Sequence, residues 1–262
     1  MGSLEVRLAT AEPEIRQAQA LRYAVFFEEG GAKPEANARL ARRDLCRFDR
    51  VCDHLIVVDL SRLEADGAPT VVGAYRLLRG ETAAANFGFY SAGEFDVASL
   101  IARHPSKRLL ELGRSCVASG YRGKRALELL WRGIWAYARH HRIDVMFGCA
   151  SFPGADPAAH AHALHFLRGA GEPDPLWDVA AAAGRAAREA PSCLAPIDSR
   201  AALRALPPLI KGYWRLGAKF GSQSVVDESF GATDVFAVMP VADIEPRYLQ
   251  HFGAEAAATL AA

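Results

Sequence analysis

The chain has 262 residues, 51% of them hydrophobic, and a formal net charge of +1 at pH 7. It is long enough to bury a full core, and no run approaches the roughly 18 apolar residues that a membrane span needs, so any membrane association is expected to be peripheral. The near-neutral charge gives no overall attraction to anions. The charge itself therefore excludes no class of partner, and only local clusters of cations could recruit an anionic one. We expect no nucleic-acid partner.

The cysteines indicate a reducing compartment. There are five, an odd number, and no two of them form a Cys-x-x-Cys pair. Since no signal peptide is recognisable, we expect reduced thiols in a cytoplasmic protein that is at most peripheral at the inner membrane. The five are Cys46, Cys52, Cys116, Cys149 and Cys193.

Strand-like and helix-like segments alternate along the first part of the chain, which predicts an α/β fold. The polar connection Gly30–Arg50 is long enough to be a functional loop or lid. An Asp-Gly pair at Asp66 and Gly67 predicts the turn of a hairpin. The predicted elements are a strand at Leu4–Ala9, a helix at Glu12–Glu29, and hairpin strands at His54–Leu60 and Val71–Arg79.

The second part begins with the segment Leu109–Val117, which predicts a central strand. We expect one domain over residues 1–262, with residues 1–155 as the first part of its core and 156–262 as a helical extension with closing strands. The remaining predicted elements are a helix at Arg125–His141, a strand at Asp144–Ser151, alanine-rich helical pieces within Asp156–Arg188, an amphipathic segment at Ala201–Phe220, and strands at Ser224–Val226 and Val235–Val238.

Three charged residues lie in strands whose neighbours predict burial. Arg76 shares a predicted strand face with apolar residues and therefore needs a carboxylate, for which Glu111 is the natural partner. Arg114 would point away from Glu111 on a regular strand, but a bulge at Gly113 would bring both to one side. Two interpretations stay open: a structural ion network that fixes the sheet, or a site in which Glu111 deprotonates an attacking amine.

A basic turn follows the predicted central strand. Val117 is followed closely by Tyr121-Arg122-Gly123-Lys124-Arg125-Ala126, which opens the next helix. This order resembles the central strand and acyl-donor loop of the GCN5-related N-acyltransferase fold. The resemblance implies an α/β fold with a mixed central sheet flanked by helices, here with a helical C-terminal extension. It also implies that Val117, Arg122, Gly123, Lys124 and Arg125 bind the acyl donor at a helix N-terminus.

The loop departs from the usual Arg/Gln-x-x-Gly-x-Gly/Ala pattern of that fold. Counting from Arg122, the fourth position is Arg125 and the sixth is Leu127. The backbone is then less open to a pyrophosphate, whereas the local positive charge is higher. We therefore expect a donor other than free acetyl-CoA.

A second resemblance covers nearly the whole chain. Its segments occur in the order found in acyl-homoserine lactone synthases and the related acyltransferases of ornithine lipid synthesis. The segments are Leu21-Arg22-Tyr23-Ala24-Val25-Phe26, Phe48-Asp49 with Cys52-Asp53-His54, Arg76, Glu111-Leu112-Gly113-Arg114, Phe147–Gly154 and Leu206–Tyr213. The sequence is more similar to the ornithine acyltransferases, because the early tryptophan of the lactone synthases is absent and the first tryptophan here is Trp131.

That resemblance implies transfer of a 3-hydroxy fatty acyl group from acyl carrier protein to the α-amine of ornithine. The acyl-phosphopantetheine of the carrier would be the donor substrate, and no cofactor or metal is expected. It implies catalytic roles for Glu111, Arg114 and Arg76. The alternatives are a lactone synthase, an acyltransferase for another amino acid such as glutamine or glycine, and, from another class, a non-catalytic module that binds membranes or the carrier.

The same resemblance assigns the acceptor site to Arg22, Phe26, Asp49, Asp53 and His54. A diamino acid needs a carboxylate for its side-chain ammonium and a cation for its own carboxylate. The candidate anions are Asp49, Asp53 and Glu28, and the candidate cations are Arg22 and Arg114. His54 is a candidate acid/base group. The alternatives are a helix-to-loop salt bridge between Asp49 and Arg22, and a structural role for His54.

Two further groups of basic residues need an explanation. His160, His162 and His165 suggest zinc, but only the last two share a helical face and no acidic or cysteine ligand accompanies them, so we expect no metal there. Lys211, Arg215 and Lys219 recur at every fourth position of Ala201–Phe220. They predict either a surface for an anionic membrane or an acidic carrier, or the solvated face of a helix packed on the core.

Overall fold

The computed structural model describes residues 3–169, 174–188 and 198–244, and for Lys124 the backbone alone. Three predicted features lie outside the described residues. They are Cys193, residues 170–173 of the predicted segment Asp156–Arg188, and the side chain of Lys124. The described chain divides into two compact units. Unit 1 comprises residues 3–87 and 110–143, and unit 2 comprises 88–109 and the described parts of 144–244.

Both units contain strands and helices, so the α/β class is confirmed. The strands of the described residues are β1 (Leu4–Leu8), β2 (Asp53–Leu63), β3 (Pro69–Arg79), β4 (Leu109–Val117), β5 (Val145–Pro153), β6 (Lys219–Asp227) and β7 (Ala232–Pro240). The α-helices are α1 (Glu12–Tyr23), α2 (Ala36–Ala41), α3 (Gly80–Ala84), α4 (Val97–Arg103), α5 (Lys124–His140), α6 (Ala161–Arg168), α7 (Ser199–Ala205) and α8 (Pro208–Arg215).

In unit 1, β1, β2, β3 and β4 form an antiparallel array in that order. The predicted hairpin between β2 and β3 is present. Gly67 takes φ +82° at its turn, and Asp66 Oδ1 accepts a hydrogen bond from Ala68 N at 3.0 Å. The helix predicted at Glu12–Glu29 is also present, but its second part, Ala24–Glu29, is a π-helix.

Helix α5 packs closely against β1 and β2. A Cβ atom on Gly133 would lie 2.7 Å from Leu55 Cδ1 and 2.9 Å from Val6 Cγ2, so any larger residue would have to displace these side chains. Leu130 and Ile134 of the same helix are completely buried. The close packing holds the helix that follows the basic turn in a fixed position on the sheet of unit 1.

In unit 2, β7 lies between β5 and β6, and both pairings are antiparallel. Every residue of β7 is buried, including Thr233 and Asp234, and the predicted strands Ser224–Val226 and Val235–Val238 lie within β6 and β7. The segment 94–96 is tied to this unit by Asp96 N donating to Ala180 O at 2.9 Å. The unit therefore combines a sheet with irregular backbone that the sequence pattern did not define.

The prediction of one amphipathic segment over Ala201–Phe220 is wrong. The chain forms α7 and α8 and then enters strand β6 at Lys219. Pro207 lies between the two helices and Pro208 is the first residue of α8. Gly217, which follows α8, takes φ +92°. Because proline lacks a backbone donor and glycine permits positive φ, this sequence interrupts a single helix twice.

Lys219 consequently does not belong to a helical basic face. Its ammonium lies 2.8 Å from Asp174 Oδ2 and 3.2 Å from Asp243 Oδ2. Ile210 and Tyr213 of α8 are buried, whereas Trp214 is 38% exposed. None of the helices within residues 3–169, 174–188 and 198–244 combines the length and apolarity needed to span a membrane.

Candidate active site

A β-bulge shapes the strand that carries Glu111 and Arg114. On β3, Arg76 pairs with Gly113 and Ala74 pairs with Cys116, so two residues of β4 lie opposite one residue of β3. Arg114 takes φ +53°, a left-handed conformation that few residues other than glycine adopt. The predicted bulge is therefore present, directly after Gly113.

Four ion pairs join three arginines through two aspartates. Arg114 Nε lies 3.1 Å from Asp44 Oδ2, and Asp44 Oδ2 lies 2.8 Å from Arg22 Nε. Arg22 also binds Asp49 Oδ2 at 2.7 Å, and Asp49 Oδ1 lies 3.3 Å from Arg76. We call these five residues the arginine network. Each aspartate lies between two guanidinium groups, so the charges of the network alternate in sign.

Local structure explains how the members of the network meet. Arg22 lies in the last turn of α1, and Asp49 lies in a short 3-10 helix at Arg47–Arg50. That helix is fixed by Asp49 N donating to Cys46 O at 2.9 Å. The long connection predicted to be functional therefore supplies both aspartates of the network, Asp44 and Asp49.

The electrostatics of Asp49 favour its ionised form. Burial opposes ionisation, but Arg22 and Arg76 outweigh it and hold the pKa of the Asp49 carboxyl below its usual value. Gln19 Nε2 donates a further hydrogen bond to Asp49 Oδ2 at 3.0 Å. The predicted salt bridge between Asp49 and Arg22 is present, and Asp49 is also a carboxylate partner of Arg76.

His54 lies beside the network without joining its ion pairs in the bonds described. Its Nε2 is 2.9 Å from Asp49 O, and the side chain is buried. Burial lowers the pKa of His54 and outweighs the opposing effect of the Asp49 carbonyl. The ring is therefore neutral at pH 7 and helps to fix the backbone that carries Asp49.

Glu111 lies on β4 and is 4% exposed. Burial raises the pKa of the neighbouring Cys52 thiol to about 12, and Arg76, Glu111 and Asp49 are the charged groups that act on it next. Glu111 is therefore within electrostatic range of the arginine network. A buried carboxylate beside several guanidinium groups can accept a proton while positive charge remains close by to hold an anion.

Two residues predicted for the acceptor site lie in different surroundings. Asp53 accepts a hydrogen bond from Tyr137 Oη, and its Oδ2 lies 3.6 Å from Arg79 Nε. Phe26 lies in the π-helix, where it packs against the apolar cluster that includes Ile56. In the contacts described, neither residue joins the arginine network.

The basic turn leads directly into α5. Gly123 is the residue before the first turn of this helix and supplies no side-chain cap, so the first backbone N–H groups can face an anion. Arg122 Nε donates to Val117 O at 3.1 Å, and Arg122 also pairs with Glu29. Arg125 is exposed. The role of this turn in binding a phosphate stays a prediction, and Arg122 already binds a carboxylate.

Asp44 is a network member that sequence reasoning missed. It lies in a polar, arginine-rich stretch, where an acid is expected to face solvent, yet it is 4% exposed. The sequence feature that could have identified Asp44 is its position in the same long connection as Asp49. The second missed group lies in unit 2, where Glu94, Cys149 and Asp234 each bring one donor atom within 4.8 Å of the others.

The predicted non-metal role of the histidine cluster stays a prediction. His160 Nε2 lies 3.0 Å from Pro153 O, and its ring lies 4.9 Å from that of Phe152. Of the residues that the structure describes, Glu94, Cys149 and Asp234 form the one group whose donor atoms lie close enough to hold an ion.

Comparison with known proteins places these residues in a family. Residues 21–132 match the model of the acetyltransferase (GNAT) domain. The chain is 53% identical to an L-ornithine N(alpha)-acyltransferase of Agrobacterium fabrum (strain C58), over 98% of this chain and 87% of that protein. It is 51% identical to an L-ornithine N(alpha)-acyltransferase of Brucella abortus (strain 2308), over 98% of this chain and 91% of the relative.

Solved structures support the fold independently. A CoA-dependent acyl-homoserine lactone synthase resembles the chain with a TM-score of 0.51 and 12% sequence identity, over 100% of this chain and 92% of that one. At this identity the similarity concerns the fold alone. The predicted relation to the GNAT fold and to lactone synthases is therefore confirmed at the level of architecture.

Proposed function

The chain belongs to the L-ornithine N(alpha)-acyltransferase family, and from that premise we propose that it transfers a fatty acyl group to the α-amine of ornithine. The observation that carries this function is the identity of about half of all residues with enzymes of that name over nearly the whole chain. The buried Glu111 beside the arginine network supplies the chemistry that amide formation needs.

Glu111 acts as the general base in this proposal. The ammonium of the acceptor must lose a proton before its nitrogen can attack the carbonyl carbon of a thioester. The new C–N bond forms as a second proton leaves the nitrogen, and the C–S bond then breaks and the thiolate takes up a proton. A buried carboxylate on a rigid strand is suited to this transfer because its position is fixed before the substrate arrives.

Arg114 is the best placed cation for the α-carboxylate of the acceptor. Its side chain is 13% exposed, whereas that of Arg22 is 1% exposed and binds two aspartates. Arg22 therefore acts as a positioning residue that holds Asp44 and Asp49. Arg76 is fixed by Asp49 and keeps positive charge near the strand of Glu111.

The donor in this proposal is a 3-hydroxyacyl chain on acyl carrier protein. Val117, Arg122, Gly123, Lys124 and Arg125 surround the start of α5, where backbone N–H groups favour the phosphate of a phosphopantetheine arm. The additional positive charge of the turn suits the acidic side chains of a carrier. Lactone synthesis is the second candidate function, and similarity of fold is its only support. The early tryptophan of lactone synthases is absent here.

One assay tests the proposed reaction directly. Purified protein is incubated with a 3-hydroxyacyl group on acyl carrier protein or on CoA, together with ornithine, lysine, glutamine or glycine, and products are identified by mass spectrometry. We expect an acylated α-amine of ornithine and a higher kcat/KM with the carrier than with CoA. Absence of an ornithine product contradicts the function, and equal efficiency with both donors contradicts the carrier preference.

A charge-reversal variant tests the donor turn. The triple variant Arg122→Glu, Lys124→Glu, Arg125→Glu should raise the KM for the acyl carrier protein, and added salt should weaken wild-type binding in the same way. The triple variant also breaks the ion pair between Arg122 and Glu29. The single variant Arg125→Glu is the matched control, because it reverses an exposed charge of the same turn and leaves that ion pair intact.

We also propose peripheral contact with an anionic membrane, where a lipid product would be released. Lys211 and Arg215 of α8 flank the exposed Trp214, and each cation contributes about 1 kcal/mol at an anionic surface. Lys211→Gln with Arg215→Gln should reduce sedimentation with vesicles containing anionic lipid. Lys219→Gln is the matched control, because Asp174 and Asp243 already pair with that ammonium. Wild-type protein that ignores such vesicles at low salt contradicts this role.

A further inference from the structure

A wide bulge interrupts strand β2 of unit 1 near its hairpin end. Asp59 pairs with Thr70 of β3 and Leu63 pairs with Pro69, so three residues of β2 lie between two consecutive positions of β3. A bulge turns side chains out of the regular alternation of a strand, and bulges are common beside functional sites. This one begins directly after Asp59, whose carboxylate therefore lies where the ladder between β2 and β3 is interrupted.

Both oxygens of the Asp59 carboxylate accept hydrogen bonds. Oδ1 accepts one from Ser61 N at 2.9 Å and one from Ser61 Oγ at 2.6 Å, both within the bulge. Oδ2 accepts a hydrogen bond from Tyr121 Oη at 2.7 Å. These bonds, first that of the Ser61 hydroxyl and then that of Tyr121, hold the pKa of Asp59 well below its usual value. Asp59 is therefore an ionised acceptor with a fixed orientation at neutral pH.

Tyr121 is the first residue of the basic turn and joins that turn to three strands. Its N–H donates to Ala118 O at 2.8 Å, and Ala118 directly follows β4. Ala118 N in turn donates to Val72 O of β3 at 2.9 Å. The side chain of Tyr121 reaches Asp59 of β2, and Arg62 Nη1 from the bulge lies 3.5 Å from the same hydroxyl oxygen. Because a guanidinium can only donate, the hydroxyl hydrogen is directed to Asp59.

Glycines on both sides of Tyr121 and Arg122 leave the turn dependent on such side-chain bonds. No atom lies within 4 Å of the place that a Cβ would take on Gly120 or on Gly123, so packing does not restrain either residue there. The ion pair of Arg122 with Glu29 joins side chains that are 50% and 39% exposed, and such pairs contribute little. The hydrogen bond from Tyr121 to an ionised carboxylate is therefore expected to hold the turn more firmly than this ion pair does.

We infer that Tyr121 is a positioning residue for the acyl donor, and that its hydrogen bond to Asp59 holds the basic turn in the shape that receives the donor's phosphate. The inference rests on the proposed function, in which the first backbone N–H groups of α5 face that phosphate. Such groups bind an anion best when their directions are fixed before the anion arrives, because binding then orders less of the protein. The hydroxyl of Tyr121 acts through the backbone of Arg122 and Gly123 and does not touch the reacting atoms.

The test compares two variants that each remove one tyrosine hydroxyl of unit 1. Tyr121→Phe should raise the KM for the acyl carrier protein donor about tenfold and leave the KM for ornithine and the kcat at saturating donor unchanged. Tyr137→Phe is the matched control, because Tyr137 likewise donates to an aspartate, Asp53, but lies near the other end of α5. It should leave the KM for the donor unchanged. An unchanged donor KM in Tyr121→Phe, or an equal rise in both variants, overturns the inference.

A double variant tests whether Asp59 acts through Tyr121. Asp59→Asn keeps an acceptor but loses the charge, so it should raise the KM for the donor by less than Tyr121→Phe does. Tyr121→Phe combined with Asp59→Asn should match Tyr121→Phe alone, because both changes weaken the same bond. A double variant in which the two effects multiply overturns the shared bond. Urea unfolding of all variants checks the fold, since a purely structural role would lower stability without raising the KM for the donor.

Equilibrium binding separates this inference from the proposed reaction. Calorimetry without ornithine should show that Tyr121→Phe binds acyl carrier protein with its phosphopantetheine arm about tenfold more weakly than wild-type protein does. Weaker binding by the variant, together with no ornithine product from the wild type, supports the inference and contradicts the reaction. Acylation of ornithine with equal carrier binding by both proteins overturns the inference and leaves the reaction standing. Wild-type protein that binds neither the carrier nor CoA overturns the inference and the proposed donor together.

Discussion

The two units handle buried charge in opposite ways. In unit 1, the arginine network places each aspartate between two guanidinium groups, so the charges compensate one another within the protein. In unit 2, the carboxyl groups of Glu94, Asp227 and Asp234 act on one another, and burial together with these neighbours raises the pKa of Glu94 to about 8. The comparison shows that buried ionisable groups in one chain can be neutralised either by partners of opposite charge or by keeping a proton.

This difference determines how each group affects the stability of the fold. Removing one member of a compensated network destabilises the fold strongly, because it leaves a buried charge without its partner. A carboxyl whose pKa is raised by burial keeps its proton in the folded protein, and it favours unfolding as the pH rises because the unfolded chain releases that proton more easily. The arginine network is therefore expected to support the fold at neutral pH, whereas the acidic group of unit 2 is expected to weaken it as the pH rises.

The largest expected effect is on stability. Asp49→Asn should lower the free energy of unfolding at pH 7 by about 3–5 kcal/mol, because Arg22 and Arg76 then share no carboxylate at that position. Glu94→Gln should not lower it at pH 7 and should raise it, because glutamine resembles the protonated acid favoured in the folded protein and removes the ionisation that favours the unfolded chain. Urea unfolding of both variants measures the difference, and equal losses would remove the contrast.

The next largest effect concerns turnover. Glu111→Gln should lower kcat by about a hundredfold or more while the protein stays folded, because glutamine keeps the size of the side chain but cannot accept a proton. Steady-state kinetics, with circular dichroism as a check on folding, measures this effect. A folded variant with wild-type turnover would show that Glu111 belongs to the structural network alone.

The last expected effect is a slope, the pH dependence of stability, which has opposite signs in the two units. The contribution of Glu94 is complete below about pH 4.5 and is lost as the pH rises toward 8, at most about 1.4 kcal/mol per pH unit. The contribution of Asp49, whose pKa is lowered, is present above about pH 3.8 and is lost as the pH falls further. Unfolding at several pH values should show that Glu94→Gln removes the first slope. Identical slopes in wild type and variant would contradict the raised pKa.

The sequence allowed the regular elements and the buried charges on strands to be predicted. Arg76 and Glu111 stood out because each interrupts an apolar strand, and the bulge followed from a glycine between two polar residues. The family relation was equally accessible, because long motifs recur in order. These features depend on patterns and motifs of neighbouring residues, which a single sequence contains.

What escaped prediction depends on tertiary pairing. Asp44 lies in a polar stretch where its burial has no local signal, and the cluster of Glu94 and Asp234 requires the register of β5, β6 and β7 together with an irregular segment. Lys219 was assigned to a helical face because a four-residue spacing continued across Gly217, whose positive φ ends that helical run. Spacing alone carries no information about where an element stops.

The left-handed backbone of Arg114 limits how this position can evolve. Such a conformation costs a non-glycine residue about 1–2 kcal/mol, which glycine would avoid. Glycine, however, lacks the guanidinium that binds Asp44, and lysine retains the charge without the planar fork. No single substitution meets both demands, so drift at this position requires at least one compensating change elsewhere. We expect deep mutational scanning to find position 114 among the least permissive in the chain and its rare tolerated variants to be strongly epistatic with position 44.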